Sequence, residues 1–354
     1  MKIVLAIDSF KGCLTSVEAE NAAAEGIRQT GIDTEIVLIP VSDGGEGMLD
    51  SFLFSIDGER IRVNVHDALM RPIVAEYGVI NDTAVIEIAK ASGLMLIEPE
   101  QRNPVKATSY GTGEIIADAI RRGYRKFIIG LGGSATSDAG IGMLMALVDI
   151  LGHGTESISE ILDRDFKDIS IVLASDVTNT LLGENGAAFI FAKQKGASWS
   201  DIQVLERKAR TFADMSARHF GYDCRNIPGA GAAGGLGYAF MQYFKASIES
   251  GADLLLNANN FDSKIRDADL IITGEGSADA QTMMGKLPSV VLSHAMKCSV
   301  PVCLIAGKIS DEAILRDAGF SNVLTINSSV LNEDPLLPEN AMKNIKNTMK
   351  LIFR

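Results

Sequence analysis

Short apolar runs, rich in valine and isoleucine, recur along this chain, and most lead through a glycine-rich or acidic loop into a helical pattern. KIVLAID leads into SFKGCLTSVEAENAAAEGIRQT, where Ser16 is positioned to N-cap a helix and Val17, Ala24 and Ile27 fall at helical spacing. TEIVLIPVSD leads into GGEG and MLDSFLFSI. TAVIEIA, KFIIGLGG, ISIVLASD, DLIITGEG, PVCLIAG and NVLTIN follow the same grammar. A strand that is apolar at nearly every residue has no face to offer water. It belongs in a parallel sheet covered by helices on both sides, so the fold class is α/β. In such sheets ligands bind outside the carboxyl ends of the strands. The glycine and acidic clusters of this chain fall at those ends.

At roughly 100–200 residues per domain, 354 residues predict two domains. The last three strands, starting near Asp269, can complete one sheet with the strands at 2–8 and 35–41. Residues 1–61 plus 263–354 are therefore expected to form a discontinuous, Rossmann-like α/β domain. Residues 62–262 are expected to form a second α/β domain inserted in it, also with mainly parallel strands. The Asn81-Asp82 pair inside YGVINDTAVIEIA reads as a hairpin turn, which predicts some antiparallel pairing.

A net charge of -12 repels phosphate backbones and anionic membranes, which argues against nucleic-acid and membrane partners. Cys13, Cys224, Cys298 and Cys303 include no C-x-x-C pair, and with four scattered histidines they predict neither a disulfide framework nor a structural zinc site. That usage suits a reducing, cytoplasmic compartment. MKIVLAID is apolar too briefly for a signal peptide, and no uncharged apolar stretch reaches the ~18 residues of a membrane span.

Five clusters carry the chemistry. In VSDGGEG, Asp43 and Glu46 flank Gly44 and Gly45, either as a tight surface turn or as a place where carboxylates and bare backbone meet a ligand. In DSFKG, Asp8 ends the first strand, with Ser9 and the phosphate-neutralising candidate Lys11 in the loop. GLGGSATSDAGIG follows a strand and opens a helix. Gly132, Gly133, Ser134 and Thr136 there suit an anion cradle built on main-chain N–H groups. In SDVTN, Asp176 suits a Mg²⁺ ligand or a carboxylate that orients a hydroxyl, or an Asx turn. FAKQKGAS downstream brings Lys193 and Lys195. In TGEGSADAQTMMGK, Glu275 is expected to end a strand, with Asp279 and Gln281 in the loop and Lys286 after Gly285.

Two dinucleotide-like glycine patterns fail on context. Gly130-x-Gly132-x-x-Ala135 needs an acidic residue ending the next strand roughly 20 positions on. Asp149 has that offset but falls where the helix still runs. Gly229-x-Gly231-x-x-Gly234 follows CRNIP rather than a strand, and reads as a close-approach loop. No Walker-type loop and no protein-kinase signature set is present. Carboxylates, lysines and bare backbone at strand ends are the parts that Mg²⁺-nucleotide phosphoryl transfer needs.

In order, AIDSFKGCLTS, PVSDGGEG, IEIAKASGL, TSYGTGEII, GLGGSATSDAGIGM, DVTN, QKGA, GAGAAGGLG and ITGEGSADAQTMMGK resemble the motifs of the bacterial type 1 glycerate kinases, from the first strand to about Lys308. The resemblance implies ATP- and Mg²⁺-dependent phosphorylation of D-glycerate, with 2-phosphoglycerate favoured over 3-phosphoglycerate. It also implies two α/β domains with the active site in the cleft between them. On that basis Lys11 and Lys286 are assigned to phosphate neutralisation, and Asp43 to orienting or deprotonating the acceptor hydroxyl. Asp176 and Asp279 are assigned to the metal or the hydroxyl. Ser9, Gly44, Gly45, Glu46, Gly132, Gly133, Ser134, Thr136, Glu275 and Gln281 are assigned to substrate or phosphate. The chain departs from the family pattern Gly-Glu-Gly-Arg-Ile-Asp-Ser-Gln-Thr at Ser277, Ala278 and Ala280, which removes an arginine anion clamp. A non-catalytic sensor of glycerate or nucleotide is the reading that this loss favours. An NAD-dependent hydroxy-acid dehydrogenase rests only on the two glycine patterns.

Overall fold

Both faces of the first strand are buried, and alternate residues go to different cores. In the computed structural model Ile3, Leu5 and Ile7 pack with Ala341, Ile345 and Met349 of the helix Pro338–Ile352, while Val4 and Ala6 pack with Val291, Leu292 and Ala295 of the helix Leu287–Cys298. A period of two with apolar residues on both faces is what a continuous apolar run becomes in a doubly covered sheet. The structure describes residues 1–354 except 11, 43, 46, 153, 155–157, 328–333 and 354, and excepting the side chain of Ser55.

The chain divides into two units. The first comprises Met1–Asp43, Asp50–Ile56 and Ala252–Arg354, the second Gly44–Leu49 and Asp57–Gly251. The strands in chain order are β1 (Lys2–Ile7), β2 (Glu35–Leu38), β3 (Glu59–His66), β4 (Pro72–Ile80), β5 (Thr83–Glu87), β6 (Lys126–Gly130), β7 (Ser170–Ala174), β8 (Ser247–Glu249), β9 (Leu270–Ala278), β10 (Val302–Ile309) and β11 (Asn322–Thr325). The first unit holds one parallel sheet in the order β11-β10-β9-β1-β2. Counted within the sheet this is 2-1-3-4-5, a doubly wound order whose direction reverses between β1 and β9. The Rossmann-like expectation is refined accordingly: five strands in this order replace the six of a dinucleotide-binding sheet. The second unit holds the sheet β3-β4-β5-β6-β7-β8, parallel from β5 to β8 and antiparallel from β3 to β5. Ile80 pairs with Thr83 across the Asn81-Asp82 turn, with Asn81 at φ 54°, as the hairpin signal predicts.

Two local expectations are corrected. Ser16 is not the cap of the helix Ser16–Arg28. Thr15 caps it, in a box with Glu18: Glu18 N–H donates to Thr15 Oγ1 at 3.2 Å and Thr15 N–H to Glu18 Oε2 at 2.9 Å. Ser16 is one residue inside and buried, donating to the Ile7 carbonyl at 2.5 Å and accepting from Val41 N–H at 3.0 Å. Glu20, one turn on and fully buried, accepts from Ile7 N–H at 3.1 Å. Burial raises the Glu20 pKa well above the carboxylate range. One helix face thus clamps the last residue of β1, just before Asp8. Second, Glu275 does not end its strand. β9 continues through Ala278, because β10 continues beside it, pairing Lys308 with Ser277 and Ile309 with Ala278. Gly307 makes the pairing possible: a Cβ there would lie 2.7 Å from the Gly276 carbonyl oxygen.

These two hydroxyls give a graded prediction. Thr15→Ala should cost about 1 kcal/mol, an exposed N-cap. Ser16→Ala leaves the buried Val41 N–H unsatisfied and should cost more, about 1–3 kcal/mol. Urea unfolding of both variants checks this; equal losses would mean that Ser16 bridges nothing of consequence.

Candidate functional site

In the first unit, the carboxyl ends of β1, β9 and β10 surround a cavity of about 680 Å³. Asp8 follows β1 directly. Its N–H donates to the Gly274 carbonyl at 2.9 Å, and its Oδ1 accepts from Ser9 N–H at 2.7 Å. Glu275 is buried, with Thr282 Oγ1 donating to Oε1 at 2.6 Å and Lys286 Nζ lying 3.3 Å from Oε2. Burial raises the Glu275 pKa, and the Thr282 hydroxyl and the Lys286 ammonium oppose that rise. Lys286 opens the helix Leu287–Cys298 and keeps an exposed side of its ammonium stem, so its charge is anchored by Glu275 without being consumed by it. Lys308 joins the lining from β10, in register with Ser277. Asn327 is held by its amide: Nδ2 donates to the Gly307 carbonyl at 2.8 Å, and Oδ1 accepts from Asn344 Nδ2 at 3.0 Å. The remaining wall includes Phe10, Ile326, Pro335 and Leu336 and is apolar.

Of the sequence-predicted residues, Ser9, Glu275 and Lys286 thus meet around one cavity. Asp279 and Gln281 sit on the short turn Ala280–Met283 and do not line it. Asp279 caps that turn, its Oδ1 accepting from Gln281 N–H at 2.8 Å, while the Gln281 side chain is exposed. Lys11, Asp43 and Glu46 lie outside the described residues.

The second unit holds the glycine loop. Between β6 and the helix Ile141–Leu151, the chain wraps around a buried lysine: Lys195 Nζ donates to Ser134 Oγ and to the Thr136 carbonyl, both at 2.7 Å. Burial lowers the Lys195 pKa from 10.5 to about 7, opposed by the Asp138 charge. Asp138 fixes the far side of the loop, accepting from Ser109 N–H and Oγ at 2.8 Å each and from Gly140 and Gly142 N–H at 3.1 Å each. Thr136 Oγ1 and Ser137 Oγ are buried with no hydrogen-bond partner among the described residues. Gly44, Gly45 and Gly132 pack on one another: Gly132 N–H donates to the Gly44 carbonyl at 3.3 Å, and a Cβ on Gly132 would lie 2.3 Å from the Gly45 Cα. Gly133 takes φ +73° at the bend. Gly234 serves the same loop, since a Cβ there would lie 2.0 Å from the Thr136 carbonyl oxygen. The close-approach reading of GAGAAGGLG holds, and what approaches is the protein's own backbone. Asp149 lies in the helix Ile141–Leu151 and accepts from the Tyr110 hydroxyl at 2.8 Å, so no acidic strand end completes the dinucleotide pattern. Asp176 is exposed in the loop after β7.

The sequence reading passes over Lys308 and names Lys195 only beside Lys193, with no role. Lys308 follows the apolar run LIAG, and the strand-end rule that found Glu275 would have found it. Lys195 is locally indistinguishable from Lys193. Among the described residues no three carboxylate, imidazole or thiol side chains gather as a metal site. A Mg²⁺ that arrives with a nucleotide takes most of its ligands from phosphates and water and needs only one or two carboxylates. Asp176 in the second unit is exposed and Asp279 in the first partly so, each a carboxylate of the kind such an ion takes.

The Lys195 shift has a signed consequence. Between its folded pKa of about 7 and its ordinary 10.5, the unfolded chain binds more protons, so stability should rise with pH across that window and be flat below it. Lys195→Met should lose that rise. Unfolding curves from about pH 7 to pH 10 measure it, and parallel profiles for the two proteins would refute it.

Comparison with known proteins adds the family. A model described as the glycerate kinase family matches residues 3–354. A glycerate kinase of Bacillus subtilis (strain 168) is 41% identical over 330 residues, covering 88% of this chain and 86% of the relative. A glycerate 2-kinase of Escherichia coli (strain K12) is 38% identical, covering 93% and 91%. A crystal structure from Salmonella typhimurium LT2, provisionally described as glycerate kinase 2, superposes with a TM-score of 0.83 at 34% identity, covering 99% of this chain and 97% of that one. Matched along nearly its whole length in sequence and in fold, the chain belongs to the glycerate kinase family.

Proposed function

We infer that this protein transfers the terminal phosphoryl group of Mg²⁺-ATP to a hydroxyl of D-glycerate, in a reducing, cytoplasmic setting. One observation carries the reading: Asp8, Glu275, Lys286 and Lys308 converge on one cavity at the carboxyl ends of a parallel sheet. Phosphoryl transfer asks a protein mainly for positioning and charge neutralisation. Lys286, steered by Glu275, supplies a cation that is aimed yet still available. Glu275 keeps that aim through Thr282, whose hydroxyl fixes the other carboxylate oxygen. Bound Mg²⁺ would draw negative charge off the phosphate oxygens; Asp176 and Asp279 are the carboxylates proposed for it from sequence. Ser134 and Thr136, with the backbone of Gly132 and Gly133, would hold an anionic group at the glycine loop. Lys11 and Asp43 are proposed from sequence for phosphate neutralisation and hydroxyl deprotonation. The name of the Escherichia coli relative favours the 2-hydroxyl as acceptor. The sensor reading loses ground, since a pure binder has no need of an aimed acid–lysine pair. The dehydrogenase reading has no support in the geometry around Asp149.

The test is an ADP-release assay with Mg²⁺-ATP and D-glycerate, with phosphorus NMR of the product. Turnover to the 2-phosphate is expected. Lys286→Ala should lower kcat by about 10²–10³, the range for losing a transition-state donor. Saturable glycerate binding without ADP formation would replace the kinase with a sensor.

A further inference from the structure

The cavity of the first unit is too large and too apolar for a three-carbon acid alone. At about 680 Å³ it lies within the roughly 300–1,000 Å³ range of pockets for drug-sized ligands. It also lies at the point where the strand order reverses, between β1 and β9, with residues following both strands in its lining. Doubly wound sheets of this order seat nucleotides at that position. The lining divides by chemistry. Phe10 and Ile326, 5% and 2% exposed, and the more open Leu336 give an apolar wall suited to the faces of a purine. Asn327 is pinned through one amide hydrogen and one oxygen lone pair, and the side chain has a second of each. That donor–acceptor couple matches the edge of adenine, as asparagine does elsewhere. Lys286 and Lys308 give two ammonium groups for phosphates, and Gly276 and Gly307 keep the strand ends between them bare of side chains.

Resting on the kinase reading, we propose that this cavity is the nucleotide seat, with a purine against Phe10, Ile326 and Leu336 and phosphates at Lys286 and Lys308. The small acid then has no claim on the apolar wall. Lys308 becomes a phosphate-binding residue, standing in register with the small side chain of Ser277 on the neighbouring strand.

Cys13 reports on this seat without any mutation, because it lines the cavity and is only partly buried. Cys298, also partly buried but absent from the lining, is the internal control. The wild-type protein is labelled with N-ethylmaleimide and each site is followed by mass spectrometry, with Mg²⁺-ADP or D-glycerate added. With Mg²⁺-ADP at about ten times its dissociation constant, roughly one site in ten stays free, so Cys13 labelling should slow about tenfold and Cys298 labelling should not. D-glycerate alone should leave both unchanged. Cys13 protected by glycerate, or not protected by Mg²⁺-ADP, overturns the assignment. ADP formation without protection sinks the seat and leaves the kinase reading standing; protection without ADP formation does the reverse. Leu336→Asp is the second arm. The position is 68% exposed, so the substitution spares the core, and a carboxylate there replaces apolar contact with the purine by a charge that binding would desolvate. It should raise the KM for ATP several-fold at constant KM for glycerate; an unchanged KM for ATP counts against the seat.

Discussion

The burial of β1 on both faces is the constraint from which the first unit follows. Residues Ile3 to Ile7 are fully buried, so the strand can exist only with a helix layer on each side and a neighbour on each edge. Parallel neighbours require crossovers, and crossovers put all the strand-to-helix loops at one end of the sheet. Asp8, Ser9, Glu275 and Lys308 share a cavity for that reason: each sits on or just beyond a parallel strand whose direction the core has already set. The clamp at Ile7, where Ser16 and Glu20 satisfy both backbone groups, makes the last residue before Asp8 part of the rigid core.

The second unit applies the same logic with different materials. Its anion-type loop carries no exposed cation. It is shaped by Asp138 on one side and by the Lys195 ammonium from beneath, and glycines let adjoining backbone come within van der Waals range. A Cβ at Gly132 or Gly234 would collide with main-chain atoms that cannot swing aside, so these positions tolerate no side chain whatever ligand the loop holds.

How much of this the sequence disclosed depends on whether the determining interaction was local. The apolar runs, the Asn81-Asp82 hairpin, the helix at Asp149 and the two-part parallel sheet are written in periodicity and turn chemistry, and they were legible. Ser16 was misread by one residue because Thr15 and Ser16 have equal capping chemistry, and only burial beside Ile7 and Val41 separates them. Glu275 was misread as a strand end because Gly-Glu-Gly looks like a loop until β10 pairs alongside it. The glycine clusters pointed to close approach but could not say by what, and in several places the answer is the protein's own main chain. Lys195 could be named but not told apart from Lys193, since a lysine in a polar stretch looks solvated unless the fold that buries it is known.

That lysine also shows an imbalance in the loop. An ammonium with only neutral partners at hydrogen-bonding distance, in a site buried enough to bring its pKa to about 7, is held at an energetic disadvantage. Two buried hydroxyls with no partner among the described residues, Thr136 and Ser137, add about 1–3 kcal/mol each. A fold selected for stability alone would replace all three with apolar side chains of similar volume. What the lysine gives in return is the course of the loop, since its ammonium ties the Ser134 hydroxyl and the Thr136 carbonyl to one point.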